Sequence, residues 1–198
     1  MTLHAAALAT LRGWVAPSAD QEALRVRYVA HLEAYPDGER RACFPAHLTA
    51  GTLVLSATGD EVLLNLHGKA RRWFAFGGHV EPSDATLAGA ALREAHEESG
   101  VAGLDLDPEP VHLDEHVVGF CDPRGDVHHL DVRFAARAPA GVRPEVSDES
   151  LDVRWWPVDA LPDSLEDEMV TLVRRARERL GCAGFRAADA SGTHRRPS

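Results

Sequence analysis

Three glutamates on one predicted helix constrain this chain more than any other feature. Glu94, Glu97 and Glu98 stand three and four residues apart in the segment from Arg93 to Val101. Residues with this spacing project from the same side of a helix and are neighbours in space. Carboxylates packed this closely repel one another unless a cation or protons compensate their charge. Because clusters of oxygen ligands suit hard divalent cations, the segment predicts a site for Mg²⁺, with Mn²⁺ as the alternative ion.

The side of the helix that carries these acids is otherwise apolar. At about 100° per residue, the glutamates share it with Leu87, Ala90, Ala91 and Val101. An apolar stripe normally faces the core, so we expect the acids to point towards the interior. The alternative is a solvated acidic face, but the Gly77-Gly78 pair ahead of the helix favours a binding site.

These residues resemble the signature of the Nudix hydrolases. That signature reads Gly, five residues, Glu, seven residues, then Arg-Glu-apolar-x-Glu-Glu-x-Gly-apolar, and Arg93 to Val101 fits every fixed position of its second half. The first half differs, because five residues after Gly78 the chain has Asp84 instead of Glu, and eight residues separate Asp84 from Arg93. We expect the additional residue to lengthen the loop or the first turn, and Asp84 to cap the helix.

The resemblance implies a fold and an activity. The fold would be a Nudix-like α/β/α sandwich with a mixed sheet, and the reaction would be the metal-dependent hydrolysis of a diphosphate linkage in a nucleoside diphosphate attached to another group. The metal ligands would be Glu94, Glu97, Glu98 and the Gly77 carbonyl. Glu94 and Arg93 would be catalytic, with Arg93 orienting a glutamate through a charge-assisted hydrogen bond. The alternative is a Nudix-like module that senses a nucleotide or sugar phosphate, although a sensor has no need for all three glutamates.

Two groups of residues near the glycine pair are candidates for binding substrate phosphates. His79 stands where the loop leads towards the helix. A basic cluster precedes Trp73 and contains His67, Lys69, Arg71 and Arg72. The ordinary alternative for the cluster is a solvated loop.

A third candidate group lies on a predicted strand. Polar and apolar residues alternate from Val127 to Phe134, which places His129, Asp131 and Arg133 on one face of a sheet. If that face meets the glutamate helix, the three residues line the cleft, and if it meets solvent they are ordinary surface. The region from Glu115 to Val118 has neither the proline nor the tyrosine that marks some Nudix subgroups, so the substrate stays open.

The catalytic base is expected outside the glutamate segment, because the glutamates there are occupied by metal. Asp131 is one candidate, and the acidic loop from Glu145 to Glu149 is the other. We favour Glu149, whose longer side chain can reach across a cleft. The alternative is a solvated acidic loop.

Composition limits the classes of partner. The 198 residues are 44% hydrophobic, which is enough for one substantial core. The net charge of −10 argues against binding to nucleic acid or to a membrane surface. The three cysteines show no CxxC spacing, and no apolar run is long enough for a membrane span. The expected location is the cytoplasm, and the expected partner is a small nucleoside diphosphate derivative.

The order of predicted elements divides the chain into three parts. Residues 1–44 carry two amphipathic helices, the second with a capping box formed by Ser18 and Gln21. Their apolar faces need cover, so we expect them to pack on the rest of the chain or, by slight preference, across a homodimer. Residues 45–182 form the Nudix-like domain, with strands at 47–55, 61–66, 73–76, 113–119, 127–138 and 154–156 and a last helix from Asp163 to about Leu180. Residues 183–198 are polar and aperiodic, which predicts a disordered tail.

Overall fold

The computed structural model describes residues 1–147 and 150–182, apart from the side chains of Phe120 and Cys121. Two sequence predictions fall outside these described residues. They are the disordered tail at 183–198 and the placement of Glu149, the favoured catalytic base.

Helices and strands follow one another in the order that the sequence pattern predicts. The helices are α1 (Leu3–Gly13), α2 (Ala19–Ala34), α3 (Leu87–Ser99) and α4 (Asp167–Arg179). The strands are β1 (Ala46–Leu55), β2 (Glu61–His67), β3 (Trp73–Phe74), β4 (Phe76–His79), β5 (Asp105–Asp122), β6 (Gly125–Arg137) and β7 (Ser150–Pro157). Within the described part of the chain, no helix combines the length and the apolar character needed to cross a membrane.

The strands form one mixed sheet. Its main path runs β3-β2-β1-β6-β5, while β4 pairs with β1 and β7 pairs with β2. The strands β1 and β6 run parallel along the whole length of β1, and the other pairs are antiparallel. The central strand β1 therefore connects the two halves of the sheet.

Alternation along β1 gives the sheet two covered faces. Leu48 and Ala50 pack with the apolar side of α3, and Val54 packs with Ala95 of the same helix. On the opposite face, Leu53 and Leu55 pack with the apolar residues of α4. Helices on both faces of a mixed sheet confirm the predicted α/β/α sandwich.

The two N-terminal helices pack against the same face as α3. Leu11, Tyr28 and Leu32 are fully or almost fully buried there, in one cluster with Leu48 and Leu113. The Tyr28 hydroxyl also donates a hydrogen bond to the Asp114 carbonyl, at 2.7 Å. Packing on the rest of the chain is thus the alternative that the structure shows. Because this contact covers the apolar faces, they do not require a second subunit, and dimerisation stays a prediction.

Gln21 has a different role from the one its spacing predicts. Ser18 is the residue that precedes α2, but its side chain makes no capping hydrogen bond, so the predicted capping box is wrong. The buried Gln21 side chain instead donates to the Leu113 carbonyl at 2.8 Å and accepts from the Leu113 amide at 2.7 Å. Leu113 lies on β5, the edge strand, so Gln21 satisfies backbone groups that a neighbouring strand would otherwise bind.

Several element boundaries also differ from the sequence prediction. The strands expected at 113–119 and 154–156 are longer, at Asp105–Asp122 and Ser150–Pro157. The segment 73–76 was expected to be one strand leading into a glycine loop, but β3 pairs with β2 while β4, which contains both glycines, pairs with β1. The last helix begins at Asp167 instead of Asp163, because a turn closed by the Leu165 amide and the Pro162 carbonyl precedes it.

Replacing Gln21 by Ala tests how firmly the N-terminal helices are joined to the sheet. The change leaves a buried amide and a buried carbonyl of Leu113 without partners, so the free energy of unfolding should fall by about 2–3 kcal/mol. Urea denaturation measures it. The matched control is Glu22→Ala, which removes only an exposed ion pair with Arg25 and should change stability by less than about 0.5 kcal/mol. Equal effects of the two substitutions would show that the Gln21 contact does not stabilise the protein.

Candidate active site

The glutamate helix α3 is fixed at both ends by local interactions. At its start, the Thr86 hydroxyl accepts a hydrogen bond from the Gly89 amide at 3.0 Å, so Thr86 is the N-cap. At its end, Gly100 adopts a left-handed conformation with φ of 66°, which a glycine adopts without strain. The prediction that Asp84 caps this helix is therefore wrong, because Thr86 lies closer to the first turn and provides the hydroxyl.

Asp84 instead binds Arg93. The two carboxylate oxygens accept from the Arg93 guanidinium at 3.1 Å to Nε and 3.0 Å to Nη2. Asp84 also accepts from the amide of Glu81 at 2.8 Å, which closes the loop ahead of α3. This forked pair holds the pKa of Arg93 above its usual value, mainly through the hydrogen bonds that Arg93 donates to Asp84.

The same guanidinium binds two of the three glutamates. Its Nη1 atom lies 2.9 Å from Glu94 Oε1 and 3.1 Å from Glu97 Oε2, and its Nη2 atom donates to the His79 carbonyl at 3.0 Å. Contact between Arg93 and a glutamate is what the family resemblance implies. The positive charge compensates the repulsion between Glu94 and Glu97.

The glycine pair allows strand β4 to approach both β1 and the glutamates. A Cβ on Gly77 would lie 2.7 Å from the Gly51 Cα, and a Cβ on Gly78 would lie 2.7 Å from Glu94 Oε2. No residue with a side chain fits either position without displacing its neighbours. The Gly77 amide also donates to Glu98 Oε2 at 3.1 Å.

The three glutamates provide oxygen donors that differ in their exposure to solvent. Glu94 is half-buried, and this burial raises the pKa of its carboxyl group, whereas the Glu97 side chain is 59% exposed. Arg93 contacts both Glu94 and Glu97, and Glu98 accepts a hydrogen bond from the Gly77 amide on β4. A donor set made only of carboxylate oxygens fits a hard divalent cation.

These acids line one side of a cavity of about 730 Å³. Six predicted substrate-binding residues also line it, namely His67, Lys69, His79, His129, Asp131 and Arg133. Arg71 and Arg72 are not among its lining residues. Arg71 is exposed, with φ of 54° in the turn between β2 and β3, and Arg72 forms an ion pair with Glu166. Of the basic cluster, His67 and Lys69 therefore line the cavity.

The strand face that carries His129, Asp131 and Arg133 forms the floor of this cavity. In the register of the parallel pair, these residues stand beside His47, Thr49 and Gly51 of β1. This is the face covered by α4 further along the strands, and not the face covered by α3. The three residues nevertheless line the same cavity as the glutamates. This is possible because β4, which contacts the glutamates, pairs with β1 beside this face. Neither of the two arrangements expected from sequence describes this geometry.

Charged groups on the floor compensate one another. Arg133 Nη2 lies 2.9 Å from Asp114 Oδ2 and 3.1 Å from Asp131 Oδ2, and the Thr49 hydroxyl donates to Asp131. Burial raises the pKa of Asp131, but Arg133, His116 and the hydrogen bond from Thr49 together outweigh this effect, so the net pKa is lower than usual. A hydrogen bond that the His116 ring donates to the Asp114 carboxylate raises the pKa of His116.

Two histidines on the floor, His79 and His129, are held neutral. Burial, with a smaller contribution from His47, lowers the pKa of His79 to about 4. Burial also lowers the pKa of His129 to about 3. Both rings therefore keep an unprotonated nitrogen near pH 7.

The sequence analysis missed several residues that line the cavity. They are Arg41, Asn65, Phe74 and His116. Asn65 and Phe74 face each other as register partners on β2 and β3. Arg41 comes from the segment between α2 and β1, in the N-terminal part of the chain. None of these positions lies near the glutamate motif in sequence, and only the folding of the sheet brings them to it.

Comparison with known proteins agrees with this geometry. A family model for the NUDIX domain matches residues 45–179, whereas a search of curated proteins gave no match. The fold is similar to a NUDIX-family hydrolase from Clostridium perfringens, with a TM-score of 0.56 and 22% identity, covering 68% of this chain and 97% of that one. It is also similar to an Ap4A hydrolase from C. elegans in a binary complex, with a TM-score of 0.54 and 21% identity over 68% and 97% of the two chains. For the Nudix hydrolase RenU from M. smegmatis the TM-score is 0.52 and the identity 22%, over 73% and 92%.

At these identities the solved structures establish the fold, and the family model, which spans more than half of the chain, establishes the family. The chain belongs to the Nudix hydrolase family and is a pyrophosphohydrolase of nucleoside diphosphate derivatives.

Proposed function

We propose that the enzyme uses Mg²⁺ to hydrolyse the diphosphate linkage of a nucleoside diphosphate attached to another group, with Mn²⁺ able to replace Mg²⁺. The observation that carries this proposal is the placement of the three glutamates. They stand on one side of a cavity large enough for a nucleotide, against a glycine strand that admits close approach.

The proposed metal ligands are Glu94, Glu97, Glu98 and the Gly77 carbonyl. Enzymes of this family generally use divalent metals, and a bound ion neutralises phosphate charge and lowers the pKa of a coordinated water. Arg93 is proposed to orient Glu94 and Glu97, since one guanidinium contacts both. Its two bonds to Asp84 fix the guanidinium to the loop ahead of α3.

The anionic substrate is proposed to bind between the glutamates and the basic or polar residues of the cavity. Lys69 and Arg41 supply positive charge, and His79 and His129 supply imidazole groups. Arg133 is already paired with Asp114 and Asp131, so its charge is largely compensated. Phe74 and Asn65 offer an aromatic ring and a buried amide oxygen, Oδ1, that lacks a hydrogen-bond partner within the described residues. A nucleobase can use both, by stacking and by donating an N–H.

Glu149 remains our proposed catalytic base. The loop that leads to it is attached to the glutamate helix, because the Glu145 amide donates to the Ser99 carbonyl at 2.7 Å. Asp131 is a weaker candidate, since its carboxylate already accepts from Arg133 and Thr49. A base must have an oxygen available for the proton of water.

The remaining sequence predictions keep their status as proposals. They are a cytoplasmic location, homodimer formation, and the absence of nucleic-acid and membrane partners. The non-catalytic sensor is disfavoured, because the chain belongs to a hydrolase family and retains all three glutamates.

Replacing Glu98 by Gln tests the metal-binding assignment. The change keeps the size of the side chain but removes the charge that a hard cation needs, so kcat should fall about 1,000-fold or more. The substrate comes from a phosphate-release screen of nucleoside triphosphates, dinucleotides, nucleotide sugars and CDP-alcohols with Mg²⁺ and Mn²⁺. The control Glu33→Gln makes the same change at an exposed position of α2 and should leave kcat unaltered. Near-normal turnover by Glu98→Gln would rule out the assignment, and tight nucleotide binding without any turnover would support a sensor.

A pair of substitutions separates the roles of Asp84 and Thr86. Asp84→Asn weakens the charged fork on Arg93, so kcat should fall about 10- to 100-fold because the glutamates lose their orientation. Thr86→Ala removes the helix cap, so stability should fall by about 1 kcal/mol while kcat stays within about twofold. Steady-state kinetics and thermal unfolding measure both. The interpretation of Asp84 is wrong if Thr86→Ala costs more activity than Asp84→Asn.

The choice of base is tested by Glu149→Gln, with Glu145→Gln as the matched control in the same loop. Only the first should lower kcat and remove or shift the acidic limb of the pH–rate profile, because only Glu149 is proposed to accept a proton. The Mg²⁺ concentration for half-maximal activity should stay the same in both. If Glu149→Gln keeps both kcat and the acidic limb, the role passes to Glu94 or Asp131.

A further inference from the structure

Three histidines from three strands meet at the floor of the cavity. They are His47 of β1, His79 of β4 and His129 of β6, and one nitrogen from each lies within 4.8 Å of the others. The backbone fixes this arrangement. His47 and His129 are direct partners in the parallel pair, and His79 pairs with Thr49, two residues beyond His47 on the same face of β1. The ring centroids lie 5.0–5.1 Å apart.

The environment of His47 indicates that a ligand binds at this position. Its side chain is completely buried, and its Nδ1 atom lies 3.1 Å from the Cys43 carbonyl. A carbonyl can only accept, so Nδ1 carries the proton and Nε2 has a lone pair. Nε2 is buried and has no hydrogen-bond partner among the described residues. An unsatisfied buried acceptor destabilises the folded protein, so its retention calls for an explanation.

The hydrogen bond to Cys43 is also the kind of support that metal-binding histidines use. Such residues usually donate their second ring nitrogen to a carbonyl or a carboxylate, which fixes the tautomer and the orientation of the ring. Three imidazoles this close repel one another when charged, whereas a neutral imidazole ring carries a lone pair that can bind a metal ion.

We propose that His47, His79 and His129 form a second metal site, for a divalent transition-metal ion of the Zn²⁺, Co²⁺ or Ni²⁺ class. Imidazole nitrogen suits these ions, whereas Mg²⁺ prefers the oxygen donors of the glutamates. Three protein ligands and one open coordination position are typical of zinc sites that bind water or substrate. Because His79 and His129 line the cavity, the open position faces the substrate side.

The present geometry is close to what such an ion needs. Tetrahedral zinc with Zn–N bonds of about 2.0–2.1 Å requires ligand nitrogens roughly 3.4 Å apart. The nitrogens now lie within 4.8 Å of one another, and we expect ring rotations to close the remaining gap while the paired strands stay in place. Asp131, two residues after His129 on the same face, adds negative charge beside the site.

Cobalt titration of the full-length protein, without an affinity tag, tests the proposal directly. The protein is freed of metal, supplied with excess Mg²⁺ to fill the oxygen site, and titrated with Co²⁺ alone. One equivalent of Co²⁺ should produce the visible d–d absorption of a four-coordinate nitrogen site, and Zn²⁺ should displace it. This experiment measures binding and not turnover, so the proposal stands or falls apart from the proposed hydrolysis.

Variants locate the ion. His79→Gln and His129→Gln should abolish the stoichiometric absorption. His47→Gln should do the same, provided that circular dichroism shows this variant to be folded. His128→Gln is the matched control, because His128 adjoins His129 on β6 but is half-exposed and bonds Glu115. It should keep the absorption. Glu98→Gln should also keep it, which distinguishes this site from the glutamates.

The proposal is overturned if the wild-type protein yields no stoichiometric absorption with Co²⁺. It is equally overturned if His79→Gln and His129→Gln, both folded, bind Co²⁺ as the wild type does. Loss of the absorption in His128→Gln or in Glu98→Gln to the same extent would place the ion elsewhere.

Discussion

One guanidinium holds the active site together. Arg93 donates to Asp84 on the loop, to the His79 carbonyl on β4, and to Glu94 and Glu97 on its own helix. Without this charge, neighbouring carboxylates at a half-buried position would repel one another, and burial would favour their protonation. Arg93 therefore helps to keep the acids ionised and oriented before a cation binds. A cation that binds these oxygens must compete with Arg93 for them.

The second constraint is the division of one sheet face into a polar and an apolar half. Along β1, the side chains on this face change from His47 and Thr49 to Leu53 and Leu55. The apolar half is covered by α4 and supplies a core. The polar half is left open by that helix, so it forms a cavity floor whose charges must be satisfied internally, as Arg133 does for its two aspartates.

The N-terminal helices belong to this architecture. They bury their apolar faces on the sheet and complete the backbone hydrogen bonds of the edge strand β5 through Gln21. The segment that follows them supplies Arg41 to the cavity and the Cys43 carbonyl to His47. The N-terminal extension therefore supports both the edge of the sheet and the floor of the site.

The sequence by itself determined the family, the order of the elements and the position of the glutamate helix. Those features rest on local rules, because helical spacing places Glu94, Glu97 and Glu98 together and alternation places His129, Asp131 and Arg133 on one face. The partners of these residues depend on contacts between distant segments, which local spacing does not contain. The cap at Thr86, the fork between Asp84 and Arg93, the pairing of Gln21 with Leu113, and the meeting of three histidines all arise from strand register and helix packing. Only the tertiary structure decided them, since a shift of one residue in the register of β1 would turn His47 away from His129.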